Sequence, residues 1–109
     1  MSYGGKPLHA SGNTTNTVTI TIAAVSDVEH TVNHVSASLD TDATDVANTW
    51  VTVESPANTV LWKAIISKAG PAPINFPSDG VRGASGQALL VKLNGADDIT
   101  GYLNAIQVS

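Results

Sequence analysis

The chain has 109 residues, with five Lys or Arg against nine Asp or Glu, which gives a formal net charge of −4. Nucleic-acid binding draws its affinity from basic side chains that neutralise phosphates, so this balance argues against a nucleic-acid partner. Cysteine is absent, which excludes disulfides and thiolate metal sites. Hydrophobic residues make up 42% of the chain and charged residues 13%, a composition that favours one packed domain of this length.

The first sixteen residues differ in composition from the rest. MSYGGKPLHASGNTTN is rich in Gly, Ser, Thr and Asn and has few large apolar side chains. This composition predicts a flexible N-terminal arm over 1–16 and a single folded domain over 17–109. The start lacks the basic and apolar regions of a signal peptide, and no stretch approaches the roughly 18 apolar residues of a membrane span. We therefore expect synthesis in the cytoplasm and no membrane partner.

Alternating hydrophobicity predicts strands along the domain. In TVTITIAA (17–24), Val18, Ile20 and Ile22 alternate with threonines, which is the period of a half-buried strand. Similar patterns bounded by turn residues predict five more strands: HTVNHVSASL (30–39), TWVTVE (49–54), NTVLWKAIIS (58–67), QALLVKLNG (87–95) and ITGYLNAIQV (99–108). The third and fourth of the six should form a hairpin around SPAN (55–58).

The strand pattern fixes the expected fold class. No window shows the apolar spacing of an amphipathic helix together with caps, and β-branched residues dominate, so little or no helix is expected. Six or more short strands separated by turns predict an all-β fold, an antiparallel β-sandwich or barrel of jelly-roll-like form.

Two segments resemble metal sites without meeting their requirements. His30 and His34 have the spacing that serves metals on a helix, but on a strand they would lie roughly 13 Å apart, too far to share one ion. We expect them instead to be polar residues on an exposed or lightly buried strand face. DTDATD (40–45) begins like a calcium loop, but Asp45 stands where the loop needs glycine and Val51 where it needs glutamate. A solvated turn is the expectation there, and no metal or cofactor is predicted.

Catalytic patterns are missing from the sequence. No serine sits in a G-x-S-x-G elbow, and the spacing of Asp27, Glu29, Glu54 and Asp79 selects no pair of carboxylates for glycoside hydrolysis. We therefore expect a protein that is not an enzyme and has no catalytic residues.

Four residues are candidates for an interface: Trp50, Phe76, Arg82 and Tyr102. Trp50 alternates onto the face opposite Val51, where it could be a sugar platform, an interface anchor or simply a covered side chain. Tyr102 is a second possible stacking surface, whereas Trp62 is expected in the core.

Phe76 and Arg82 belong to GPAPINFPSDGVRG (70–83), which has three prolines and three glycines. Proline resists regular pairing, so this segment predicts a corner that crosses between sheets, with Phe76 pointing inward. Arg82, the only arginine, could bind carbonyls or a carboxylate of its own subunit, or those of the next subunit.

A recognisable succession of segments runs from about residue 30 to 106: VNHVSASLD, NTVLWKAI, PINFPSDGVRG, GQALLVKLNG and ITGYLNAI. It resembles small all-β proteins encoded among the virion genes of tailed bacteriophages. In those proteins a strand ending in V-L-W precedes an I-N-F-P segment, an R-G turn and a closing T-G-Y-L-N strand. The resemblance implies a jelly-roll-like domain and a structural place in a virus particle, with no catalytic residues.

Within that group, the expected role is capsid decoration. Such a cement protein would bind the major capsid protein or other virion proteins on the outer surface of the head, as a homotrimer that buries apolar faces between copies. The arm could then order along the shell. The alternative is a tail, fibre or head-appendage module that binds a host receptor or carbohydrate through Trp50 or Tyr102.

Overall fold

The computed structural model describes residues 5–41, 45–68, 70–71, 76–77 and 79–109, with the backbone alone at 45–47, 68 and 70–71. Within these residues the chain forms one 3-10 turn, Thr14–Asn16, and no α-helix. The described strands are β1 (Lys6–Asn13), β2 (Val18–Ile22), β3 (Thr31–Asp40), β4 (Asp45–Glu54), β5 (Val60–Lys68), β6 (Gly70–Pro71), β7 (Val81–Arg82), β8 (Leu89–Gly95) and β9 (Thr100–Gln107).

The strands form two antiparallel sheets. Sheet A has the order β1-β9-β3, with β6 and β7 both paired to the far side of β3, and sheet B has the order β2-β8-β4-β5. The pairs are nested along the chain: β1 pairs with β9, β2 with β8, β3 with β6 and β7, and β4 with β5. The predicted antiparallel β-sandwich is therefore confirmed, as is the hairpin around 55–58.

The core lies between the two sheets, because alternate residues of each strand point inward. In β8 the inward residues Leu89, Val91 and Leu93 are fully buried, and in β9 Leu103 is fully buried. Others of the buried apolar core are Val18, Ile20, Ile22, Val32, Val35, Ala37, Leu39, Val51, Val53, Ile66, Ile99 and Ala105. Such interdigitation of two inner faces is the usual core of a β-sandwich.

Gly101 in β9 packs directly against side chains that leave no room for a Cβ. A Cβ placed there would lie 2.6 Å from Leu93 Cδ2 in the facing sheet and 2.9 Å from the methyl group of Thr14. Both distances are shorter than real carbon contacts allow, so a larger residue at 101 would push the two sheets apart.

The prediction of a flexible arm over 1–16 is wrong for the part of it that the structure describes. β1 pairs with β9 along its whole length, from Lys6 opposite Gln107 to Asn13 opposite Thr100. Leu8 and Ala10 pack against the core, and buried Thr14 donates its hydroxyl to the Asp97 carbonyl oxygen at 2.7 Å. The domain therefore includes this strand, while 1–4 lie outside the described residues.

The small side chains of β1 explain why its composition suggested a flexible arm. β1 faces inward with only Leu8, Ala10 and Gly12, a weak apolar pattern. Gly12 lies opposite Gly101, and a Cβ on Gly12 would lie 3.8 Å from Val18 Cγ2, an ordinary contact distance. A strand with so few large inward side chains has a composition like that of an unstructured leader.

The six predicted strands are present with shifted ends. β4 begins at Asp45, four residues before the predicted start, and β3 begins one residue after His30. Asp40 ends β3 and Asp45 begins β4, while 42–44, most of the predicted solvated turn, lie outside the described residues.

A matched pair of substitutions tests the placement of β1. Ala10→Asp places a carboxylate against the core and should lower the free energy of unfolding by about 2–4 kcal/mol, since a buried charge without a partner is costly. Ser11→Asp, on the exposed outer face, should change it by less than about 0.5 kcal/mol. Urea denaturation followed by circular dichroism measures both. Equal effects of the two substitutions would contradict the placement of β1 in the sandwich and support a flexible arm.

Candidate binding groove on the outer face of sheet B

The outer face of sheet B is set by the alternation in β4. Val51 and Val53 are fully buried in the core, so Trp50 and Thr52 face outward. The register then places Asn94 of β8 opposite Trp50. Thr52 lies between two lysines: Lys92 of β8 on one side and Lys63 of β5 on the other.

These outward side chains surround a concave groove of about 430 Å³ in the middle of the sheet. Its walls come from all four strands of sheet B or their ends. The groove is lined by Thr17, Trp50, Thr52, Glu54, Lys63, Lys92 and Asn94. A groove of this size accommodates a small-molecule ligand or a short segment of a larger one.

Glu54 is a buried carboxylate at one end of the groove, and both of its oxygens accept hydrogen bonds. Lys92 Nζ lies 3.0 Å from Oε1, and the backbone N–H of Asn58 donates to the same oxygen at 2.7 Å. The hydroxyl of Thr52 donates to Oε2 at 2.9 Å. Glu54 thus holds Lys92, Thr52 and the turn at Asn58 in fixed positions.

These partners also determine the charge of Glu54. Burial by itself would raise the pKa of the Glu54 carboxyl. The hydrogen bonds from the Asn58 N–H, Lys92 and Thr52, together with the charge of Lys92, outweigh burial and lower the pKa below its ordinary value. The groove therefore contains an ionised and internally neutralised pair at neutral pH.

Lys63 presents the second positive charge of the groove in a different setting. Its Nζ lies 5.3 Å from the centroid of the Trp50 ring, within the range of a cation–π contact. Within the described part of the chain the one ion pair joins Lys92 to Glu54, so Lys63 has no carboxylate partner there. The Lys63 ammonium is exposed and free to meet a ligand.

The other end of the groove is polar and uncharged. Asn94 Nδ2 donates to the hydroxyl of Thr17 at 2.6 Å. This bond orients the amide and leaves its oxygen as an acceptor and the Thr17 O–H as a donor. Together with the indole of Trp50, these groups suit recognition of a polar ligand by hydrogen bonds and aromatic contact.

The four predicted interface residues do not form one surface. Trp50 lines the groove of sheet B, whereas Tyr102 lies on the outer face of sheet A, between Ser11 of β1 and Ser38 of β3. The sandwich separates these two aromatic side chains. A single ligand of ordinary size therefore cannot contact both.

Phe76 packs against the core, as expected of an inward-pointing residue. Its ring meets Trp62 edge to face, with centroids 4.7 Å apart and planes at 74°. Trp62 is partly buried and lies opposite Val53, on the inner side of β5. The pair closes one margin of the core and offers little surface for recognition.

Arg82 is exposed in β7, where it pairs with Thr31 of β3. The corner around it is fixed by the backbone: Gly80 has φ +79°, and a Cβ on it would lie 2.4 Å from the Val32 carbonyl oxygen. Gly83 N donates to the His30 carbonyl at 2.7 Å. Residues 72–75 and 78 of the segment lie outside the described residues.

The prediction that this segment takes the chain from one sheet to the other is wrong, because the strands before and after it, β5 and β8, both lie in sheet B. The two ends of the segment, β6 and β7, both pair with β3 and complete the edge of sheet A. Each of these pairings is two residues long, Gly70–Pro71 in β6 and Val81–Arg82 in β7.

The two candidate histidines occupy different environments. His34 is exposed on the outer face of sheet A, but His30 is buried, which corrects the expectation for that residue. His30 Nε2 lies 2.8 Å from the Ala23 carbonyl oxygen and Nδ1 lies 3.3 Å from that of Ser109. His30 therefore ties the loop before β3 to the segment after β9.

Within the described ranges, no group of three His, Asp or Glu residues forms a metal site.

Sequence reasoning missed most of the groove. The alternation that placed Trp50 outward also places Lys92 outward, between Val91 and Leu93. The alternation of inward and outward residues can be read from the sequence of each strand separately. The sequence did not supply the strand order, which brings β8 and β5 to either side of β4.

Comparison of the chain with protein-family models, with curated proteins and with solved structures finds no match. In the described residues there is no helix with the length and apolar character needed to cross a membrane.

The lowered pKa of Glu54 predicts a pH dependence of stability. A carboxyl whose pKa is lower in the folded than in the unfolded chain stabilises the fold above its ordinary pKa, about 4.3, and the stabilisation is lost as pH falls through the folded-state pKa. Glu54→Gln should lower the free energy of unfolding by about 1–3 kcal/mol at pH 7, and this deficit should shrink as the pH is lowered below about 4.

Urea denaturation of both proteins between pH 2.5 and 7 measures this deficit. Glu29→Gln, at an exposed carboxyl, is the matched control and should leave stability nearly unchanged at pH 7. A Glu54→Gln deficit that stays constant over the whole pH range would contradict the assigned role of the carboxylate.

Proposed function

We propose that the chain is a non-enzymatic structural protein of a tailed-bacteriophage virion, and that it serves as a capsid decoration protein. In this role it binds the outer surface of the head as an oligomer, through the major capsid protein or other virion proteins, and stabilises the shell. The sequence resemblance over about residues 30–106 supports the virion assignment. A small β-sandwich with an exposed apolar edge supports the assembly role.

The order of the strands supports a jelly roll in particular. The nested strand pairs alternate between the sheets: β1–β9 lies in sheet A, β2–β8 in sheet B, β3–β6/β7 in sheet A and β4–β5 in sheet B. The chain therefore follows the path of one long hairpin wrapped around the core. If β6 and β7 are counted as one interrupted strand, each sheet has four positions, as an eight-stranded jelly roll requires.

The observation that carries the assembly proposal is the apolar edge of sheet B, defined here as the exposed residues Val60, Leu61 and Ile65 of β5. These side chains are 52%, 44% and 60% exposed. Among the described residues, β5 pairs with β4 alone and is the edge strand of sheet B. Edge strands of monomeric proteins commonly carry charges that prevent pairing, whereas exposed apolar side chains at an edge favour contact with another chain.

This edge also indicates the geometry of association. Pairing through one edge of each copy gives a two-fold dimer, whereas contact of the β5 edge with a different surface of the next copy gives a ring. A closed ring of three copies is the homotrimer that we propose for the decoration role. The ring would place three apolar edges at its interfaces.

The second candidate function is a tail, fibre or appendage module that binds a host receptor or carbohydrate. The groove around Trp50 favours it, because the groove combines an aromatic side chain, a free ammonium and hydrogen-bonding groups. The number of copies per virion separates the two roles. Hundreds of copies by gel densitometry support decoration, and a handful support a tail or fibre tip.

Substitution at the apolar edge tests the assembly proposal. Ile65→Lys and Leu61→Lys remove apolar contact and add charge, so each should weaken self-association and binding to undecorated heads by about tenfold or more, with the monomer still folded. Sedimentation velocity and co-sedimentation with heads measure the two effects.

Val25→Lys is the matched control, because Val25 is 50% exposed but lies outside the strands. It should leave both association and head binding unchanged. If the two edge variants assemble and bind like the unmodified protein, the apolar edge is not the assembly surface.

A further inference from the structure

We propose that the groove of sheet B binds an acidic saccharide, with Lys63 contacting the sugar carboxylate. The inference rests on the second candidate function and names the ligand class of its site. Four features of the groove support it: a free cation, an aromatic surface, uncharged hydrogen-bonding groups and a buried carboxylate that disfavours multiply charged ligands.

The free lysine of the groove determines the sign of the ligand's charge. Lys92 is neutralised by Glu54 at 3.0 Å, but Lys63 faces the same groove without a carboxylate among the described residues. The Trp50 ring 5.3 Å away restrains the Lys63 ammonium at the wall of the groove. A ligand carboxylate there would gain an ion pair with little ordering of the lysine.

Glu54 limits how much negative charge the groove accepts. Its pKa is lowered, so it is ionised at neutral pH, and its charge is balanced by Lys92. A phosphate carries up to two negative charges and is commonly bound by arginine forks or by clusters of backbone N–H groups. Counting the residues that the structure describes, the groove has one uncompensated ammonium, which matches a single carboxylate better.

The remaining walls suit the rest of a sugar. The Asn94 amide oxygen can accept from a ligand hydroxyl, and the Thr17 hydroxyl, which accepts from Asn94 at 2.6 Å, can donate to one. The partly exposed indole of Trp50 offers an apolar surface to the C–H groups of a sugar ring. A volume of about 430 Å³ fits one or two sugar units.

Isothermal titration calorimetry at low salt tests the proposal with three singly charged probes: the methyl glycosides of galacturonic acid, glucuronic acid and N-acetylneuraminic acid, each beside its methyl ester. At least one acid should bind about fivefold or more tightly than its ester, which differs by one methyl group and lacks the charge. Added salt should remove this preference by screening the ion pair. Nuclear magnetic resonance should show the Trp50 indole N–H shifting on binding.

Two variants locate the contact. Lys63→Gln should bind acid and ester alike, whereas Lys6→Gln, at an exposed lysine on β1 of sheet A, should keep the preference of the unmodified protein. Trp50→Phe should retain the preference for acid but bind both ligands more weakly. Circular dichroism and thermal unfolding verify that each variant is folded.

The proposal is overturned if none of the three acids binds at millimolar concentration, if acid and ester bind equally, or if Lys63→Gln keeps the preference. None of these outcomes bears on the assembly proposal, which depends on Val60, Leu61 and Ile65. Head binding by the Lys63→Gln variant distinguishes the two: unchanged head binding with lost acid preference assigns the groove and the apolar edge to separate partners.

Discussion

Contact between the inner faces of the two sheets is the constraint on which the rest of the molecule depends. β8 lies inside sheet B and β9 inside sheet A, and their inward side chains, such as Leu93 and Leu103, are fully buried. At Gly101 the side chains of Leu93 and Thr14 fill the space so closely that position 101 has no room for a Cβ. Burial of these apolar side chains is the main favourable term that holds the sandwich together.

The same contact determines the outer surfaces. Because side chains of a strand alternate between its two faces, burying Val51 and Val53 forces Trp50, Thr52 and Glu54 to the outside of sheet B. A functional site built in this way stands on a rigid sheet rather than on loops. Its geometry is then as well defined as that of the core beneath it.

Charge is distributed within this surface by a few specific bonds. Glu54 neutralises Lys92 and positions Thr52. Lys63 instead lies beside the Trp50 ring, and no carboxylate among the described residues pairs with it. Two lysines on opposite sides of one threonine thus have different roles. One is part of the structure, and the other is available to a ligand, beside an apolar edge available to another chain.

The sequence by itself determined the fold class and most strands, since period-two alternation is a local property that Val18, Ile20 and Ile22 display without reference to neighbours. It also determined that Trp50 faces away from Val51. It misjudged β1, whose weak apolar pattern is recognisable as a strand only from its pairing with β9. Only the tertiary structure decided that Trp50 and Tyr102 lie on opposite faces, and that Lys63 and Lys92 flank Thr52. The physical reason is that strand order and register depend on pairing between segments distant in the chain, which no local pattern encodes.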